Sequence, residues 1–126
     1  MDVGNDIDIN DSHQWTFYNR VAKHFDNHVK LSVPLYEEGH EFICYLSDFF
    51  LKEGSNYYEV GSSTGTLINK LCERHDSKKN VTFYGVEPVK EMIDLAQKKC
   101  DKEIKFVNDT IENVNLLPAS LIVGYL

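Results

Sequence analysis

The chain has 126 residues, 42% of them hydrophobic and 26% charged, with a formal net charge of −7, which suits one small domain and leaves no room for two. The excess of acids argues against a free-standing nucleic-acid binder, because phosphate contacts need clustered Lys and Arg, and Lys78-Lys79 and Lys98-Lys99 are the only basic clusters. No apolar run approaches the ~20 residues that cross a bilayer, and acids stand near the start where a secretory signal carries Lys or Arg, so a cytoplasmic protein with no membrane contact is expected.

In chain order, residues 1–14 are rich in Asp and Asn with no apolar period and read as a flexible N-terminal arm, ahead of one domain over residues 15–126. Val21, Phe25 and Val29 recur at four-residue steps and predict a first helix that closes before Ser32-Val33-Pro34. Phe42, Ile43, Leu46, Phe49 and Phe50 form one apolar stripe of a second helix from about Glu37 to Leu51, with Gly54 as its C-terminal cap.

Beyond Gly54-Ser55-Asn56 short apolar runs alternate with helical stripes, the pattern of βαβ units and a parallel sheet. Strands are expected at Tyr57–Val60, Val81–Val86, Ile104–Val107 and Leu121–Tyr125. The intervening helices are Thr66–Arg74, with Leu67, Ile68, Leu71 and Cys72 inward, and Val89–Cys100, with Val89, Met92, Ile93, Ala96 and Cys100 inward. Cys44, Cys72 and Cys100 each fall among apolar neighbours and read as reduced core thiols. His24 and His28 stand at helical i, i+4 spacing, but no Cys or Glu completes a ligand set, so no metal site is expected.

Chemistry concentrates at the turn after the first strand, Glu59-Val60-Gly61-Ser62-Ser63-Thr64-Gly65. Small residues there let backbone N–H groups approach a ligand, and the next helix points its positive end at the same place. Gly61, Ser63 and Thr66 occupy the three positions of the dinucleotide G-x-G-x-x-G pattern, which therefore fails. What remains is acid-x-Gly-x-small-x-Gly, the arrangement of S-adenosylmethionine (SAM) methyltransferases, in which the loop cradles the methionine moiety.

About twenty residues on, Gly85-Val86-Glu87-Pro88 ends the second strand, where an acid can accept both ribose hydroxyls. Glu87 equally suits the start of the following helix, whose dipole it complements. Asp109, after the third strand, is a candidate acceptor for an adenine amino group. Met92 and Ile111 are candidates for sandwiching the adenine, although a core role explains each equally well.

Trp15-Thr16-Phe17-Tyr18-Asn19-Arg20-Val21-Ala22, with Phe25 and Ser32-Val33-Pro34-Leu35-Tyr36, resembles the N-terminal region of carboxy-S-adenosyl-L-methionine synthases, and the likeness continues through the Gly61 loop to Ala119-Ser120-Leu121-Ile122-Val123. The resemblance implies an α/β, Rossmann-like SAM-methyltransferase fold with a mostly parallel sheet and N-terminal helices. SAM or carboxy-SAM would be the cofactor. It also implies that Tyr36, on the loop before the second helix, closes over that cofactor, with Glu59, Gly61, Ser62, Ser63, Gly65, Glu87, Pro88, Met92 and Asp109 completing the site.

In that family prephenate supplies a carboxyl group to SAM, and the product serves wobble-uridine modification of tRNA. Glu59 and Glu87 stand where the family usually has Asp, Tyr125 where it has an asparagine, and the family's product-binding arginine falls in its C-terminal half. Catalytic residues are therefore left unassigned. Because the sequence stops at Leu126 inside the fourth strand, it is expected to be the cofactor-binding part of a longer polypeptide or a reduced version whose sheet edge is covered by a homo-oligomer or complex. An ordinary methyltransferase of a small molecule or RNA, and a non-catalytic SAM-sensing or interaction module, remain the alternatives.

Overall fold

The computed structural model describes residues 15–100 and 102–124, with side chains from residue 24 onward; the expected arm at 1–14 and Tyr125 lie outside them. The elements are α1 (Trp15–Ser32), α2 (Tyr36–Phe50), β1 (Asn56–Val60), α3 (Thr66–Arg74), β2 (Thr82–Val86), α4 (Lys90–Lys99), β3 (Ile104–Val107) and β4 (Leu121–Gly124), with a 3-10 turn at Ile111–Asn113. All strand pairs are parallel and the sheet order is β3-β2-β1-β4. The α/β fold expected from the alternating pattern is therefore present. No helix among the described residues is long and apolar enough to cross a membrane.

Register places the strand ends that matter side by side. Val60 of β1 pairs with Val86 of β2, which pairs with Val107 of β3, so the chain leaves three adjacent strands at the same level. The direction of winding reverses between β1 and β4, and in open parallel sheets the crevice at such a reversal is where ligands bind.

Alternation along the strands separates two faces. Tyr57, Phe83, Ile104, Phe106, Leu121 and Val123 pack with Leu51 and with Leu67, Ile68, Leu71 and Cys72 of α3 into the main core. Right-handed crossovers put α3 and α4 on this same face, and α2 lies against α3 and α1 against α4. The opposite face carries Tyr58 stacked on Tyr84, with ring centroids 4.7 Å apart, and the Lys105 ammonium 5.7 Å from the Tyr84 ring. The Leu117 N–H donates to the Tyr58 hydroxyl across that face at 3.0 Å.

The second helix corrects the sequence expectation. Its buried residues are His40, Cys44 and Ser47, whereas Phe42, Phe49 and Phe50 are 62%, 68% and 52% exposed. Polar contacts with α3 accompany this rotation: the Arg74 guanidinium holds Asp48 through two hydrogen bonds of 2.8 and 2.7 Å, and Ser47 meets the ring of buried His75 at 2.7 Å. The Ser47 hydroxyl proton goes to the Cys44 carbonyl, so His75 Nε2 must be the donor to Ser47 Oγ. Gly54 is not the helix cap; Leu51 is, and Gly54 turns the chain with φ of +71° while its N–H donates to Lys79 O.

In α4 the buried residues are Ile93, Leu95 and Ala96, with Cys100 just beyond; Met92 is half-buried, and Val89 is an exposed N-cap rather than an inward residue. Cys44, Cys72 and Cys100 are buried thiols joined by no disulfide, as expected. Replacing Ser47 by Ala strands a buried ring N–H, so Ser47→Ala is expected to lower unfolding free energy by about 1–3 kcal/mol in denaturant titration; an unchanged midpoint would show that the bond contributes nothing.

Candidate functional site

The turn from β1 to α3 curls over the end of β2. Gly61 N–H and Ser62 N–H both donate to Val86 O, at 2.8 and 3.1 Å, and Gly65 N–H donates to Ser62 O at 2.9 Å. Gly61, Ser63 and Gly65 all take left-handed φ, of +74°, +54° and +83°. At Gly65 space is limiting as well as φ: a Cβ there would lie 3.1 Å from Cys100 Sγ and 3.2 Å from Ala96 Cβ, so a side chain would push α4 away from the loop. Gly85 is constrained by close approach alone, since a Cβ would come within 2.9 Å of both Phe106 and Ser62 Oγ.

Glu87 reaches back into this turn. Its Oε1 accepts from Ser63 N–H at 2.8 Å and its Oε2 from Val89 N–H at 2.9 Å. The buried carboxylate thus ties the glycine loop to the start of α4, and the position shared by the loop and the helix start is where both sequence readings of Glu87 meet. Asn108 fixes the exit of β2 from the β3 side, its amide donating to Glu87 O and Pro88 O at 3.1 and 2.9 Å. Pro88 itself is exposed.

A pocket opens beside the loop, lined by Phe25 and Val29 of α1, Tyr36 and His40 of α2, Glu59, and the loop from Gly61 to Thr64. It gathers Tyr36, Glu59, Gly61, Ser62 and Ser63 of the expected set. Tyr36 is the first residue of α2 rather than part of a loop, held where Leu35 takes φ of +58°, and its ring lies 4.2 Å from that of His40. Glu87 joins through its bond to Ser63, while Gly65 backs the loop from beneath. Met92 and Asp109 are not among the pocket's lining residues. Asp109 Oδ1 accepts from Thr110 N–H and the Asn113 amide at 2.8 and 2.9 Å, bonds that hold its carboxyl below the usual range.

The wall of the pocket includes two groups whose protonation is set by burial. Glu59 is 3% exposed and burial pushes its carboxyl up to about 8, opposed by the bond it accepts from the Tyr57 hydroxyl at 2.9 Å. Burial lowers His40 to about 4, with the Lys70 charge acting in the same direction. Near neutral pH the pocket therefore presents a protonated acid and a neutral imidazole.

Sequence reasoning missed His40, Thr64 and Asn108. His40 and Thr64 carried no motif signal, whereas Asn108, a side-chain amide immediately after a strand, could have been noticed as a group suited to neighbouring carbonyls.

No protein-family model matches the chain. A carboxy-S-adenosyl-L-methionine synthase of Staphylococcus epidermidis is 32% identical over 115 residues, covering 90% of this chain and 50% of that protein. The chain has the fold of the SAM-dependent methyltransferases and resembles the carboxy-SAM synthases over most of its length. A second synthase, from Yersinia pseudotuberculosis, is 36% identical over 80% of this chain and 39% of its own, so the chain spans about half the length, or less, of these curated relatives.

Among solved structures, a SAM-dependent methyltransferase from Aquifex aeolicus superposes with a TM-score of 0.54 and 25% identity over 75% of this chain and 53% of its own. The plantazolicin methyltransferase BpumL, solved with SAH and a monoazolic desmethylPZN analog, gives 0.54 and 17% over 81% and 39%. The latter likeness concerns the fold alone.

Because the folded-state value of Glu59 lies above its unfolded value, its stabilising contribution is complete below about pH 4.5 and is lost as pH rises through about 8. Glu59→Gln removes that titration. Wild-type thermal stability is expected to fall relative to Glu59→Gln between about pH 5 and about pH 9; parallel profiles would mean that Glu59 is already ionised in the native state.

Proposed function

We propose that this chain binds SAM at the crevice over β1, β2 and β3, with the glycine loop against the methionine moiety and Glu87 on the ribose diol. The observation that carries this reading is the Glu87 carboxylate bonded to Ser63 N–H at the shared level of three strand ends. Each carboxylate oxygen keeps a lone pair beyond its backbone bond, enough for one ribose hydroxyl apiece. Asp109 lies one strand further out and, as an ionised acceptor, suits an adenine amino group. Tyr36 covers the methionine end from α2. Gly61, Ser62, Ser63 and Gly65 give backbone access, Glu59 faces the cationic part of the ligand, and Pro88 and Met92 border the adenosine.

When bound, SAM supplies the reactive carbon attached to its sulfonium. The chain's own contribution is to orient that group and keep water from it. The full protein would make carboxy-SAM from SAM and prephenate, as the similarity to the synthases suggests. A homo-oligomer or complex is the assembly we expect, and three buried thiols joined by no disulfide suit a reducing compartment such as the cytoplasm.

Calorimetric titration with SAM and with carboxy-SAM tests the site. Both are expected to bind wild type, and Glu87→Ala should weaken binding about ten-fold or more, the scale of lost hydrogen bonds to a charged group. A folded protein that binds neither overturns the reading. Synthase activity is tested separately: full-length protein supplied with SAM and prephenate is expected to form carboxy-SAM, and its absence removes the synthase assignment while leaving cofactor binding intact.

A further inference from the structure

Three elements far apart in sequence meet at one polar cluster beside the pocket. Asp26 of α1 accepts a hydrogen bond from Thr64 Oγ1 in the glycine loop at 2.6 Å. Its other oxygen lies 3.3 Å from Lys99 Nζ in the last turn of α4. Lys99 also donates to Thr66 Oγ1 at 2.6 Å and lies 3.5 Å from Thr64 Oγ1. Thr64 is buried, while Asp26 and Lys99 are partly exposed. Phe25, next to Asp26, and Val29, one turn on, both line the pocket.

We propose that Asp26, Thr64 and Lys99 are positioning residues that latch α1 onto the glycine loop and thereby set how long a SAM molecule stays in the pocket. The inference rests on the SAM-binding reading above. A ligand whose methionine end sits there would touch Phe25 and Val29 of α1 on one side and the loop on the other, so loosening α1 from the loop would ease its release. Parting them uncovers buried Val29 and leaves the Thr64 hydroxyl and the Asp26 carboxylate to be resolvated.

Apolar contact alone would tolerate small sliding of α1 along the loop, whereas a charge-assisted O–H···O bond fixes one seat. The Asp26–Lys99 pair reaches solvent, so dissolved salt screens it and loosens the latch.

The test combines stopped-flow SAM dissociation with hydrogen exchange on wild type, Thr64→Val and Asp26→Asn, at low and high ionic strength. Both variants are expected to raise the dissociation rate roughly ten-fold and to speed exchange of α1 amides, while amides of β1, β2 and β3 keep their protection. Salt should do the same to wild type and have less effect on Asp26→Asn. Unchanged dissociation and unchanged α1 exchange in both variants overturn the proposal, as does protection lost from the whole sheet, which would make the cluster an ordinary part of the core. Asp26 is partly exposed, so its variant remains informative if Thr64→Val does not fold. A wild-type protein that binds no SAM sinks the cofactor reading and the residence-time claim together, while selectively faster α1 exchange would still establish the latch as a docking contact.

Discussion

Two backbone N–H groups, one from a left-handed residue of the glycine loop and one from the start of α4, are satisfied by the two oxygens of a single buried carboxylate, that of Glu87. One carboxylate holds both donors, so the loop conformation and the position of α4 are coupled. Each is stable because the other presents its donor to the same acid. The third neighbour, Asn108, extends this coupling to β3 by holding the Glu87 and Pro88 carbonyls. What looks like a binding residue is also the joint that keeps three chain exits in one geometry, and such pre-organisation is what a small-molecule site at the ends of parallel strands would require.

Charge in the site follows depth. Asp109, bonded by the Asn113 amide and the Thr110 N–H at the rim, stays an anion readily. Glu59, two residues from Tyr57 and sealed within the wall, is held in its protonated form by burial. A cationic ligand placed against Glu59 would offset the cost of ionising it, so the same acid that is quiet in the free protein becomes an electrostatic partner on binding. Two acids of similar chemistry thus differ because burial acts on one and donated hydrogen bonds act on the other.

Much of this architecture was legible in the sequence because it rests on local rules. The strand and helix order follows from alternation between periods, and the glycine loop and Glu87 from a motif with a physical reason for each residue. The orientation of α2 was not legible. Phe42, Phe49 and Phe50 suggest an inward stripe, but the face that packs inward carries the Arg74–Asp48 and His75–Ser47 contacts, which join residues 26 and 28 positions apart. The Asp26–Thr64 contact was hidden for the same reason, since neither residue carries a local signal of its partner 38 positions away. Val89 was misplaced by counting hydrophobicity at a position where the helix had not yet begun.

The strand order also has a kinetic consequence. β1 pairs with β2 across a loop closed by α3, and β2 with β3 across one closed by α4, but Tyr57 finds its β4 partner Leu121 only after about sixty intervening residues. Long-range parallel pairing is slow because loop entropy is lost before the ladder forms. During synthesis the β1-β2-β3 unit, with its glycine loop and Glu87 already in place, can assemble while β4 is still being added. The crevice at the strand ends is therefore built early, and the β1 edge, closed last, is the part of the sheet most exposed to mispairing as the chain folds.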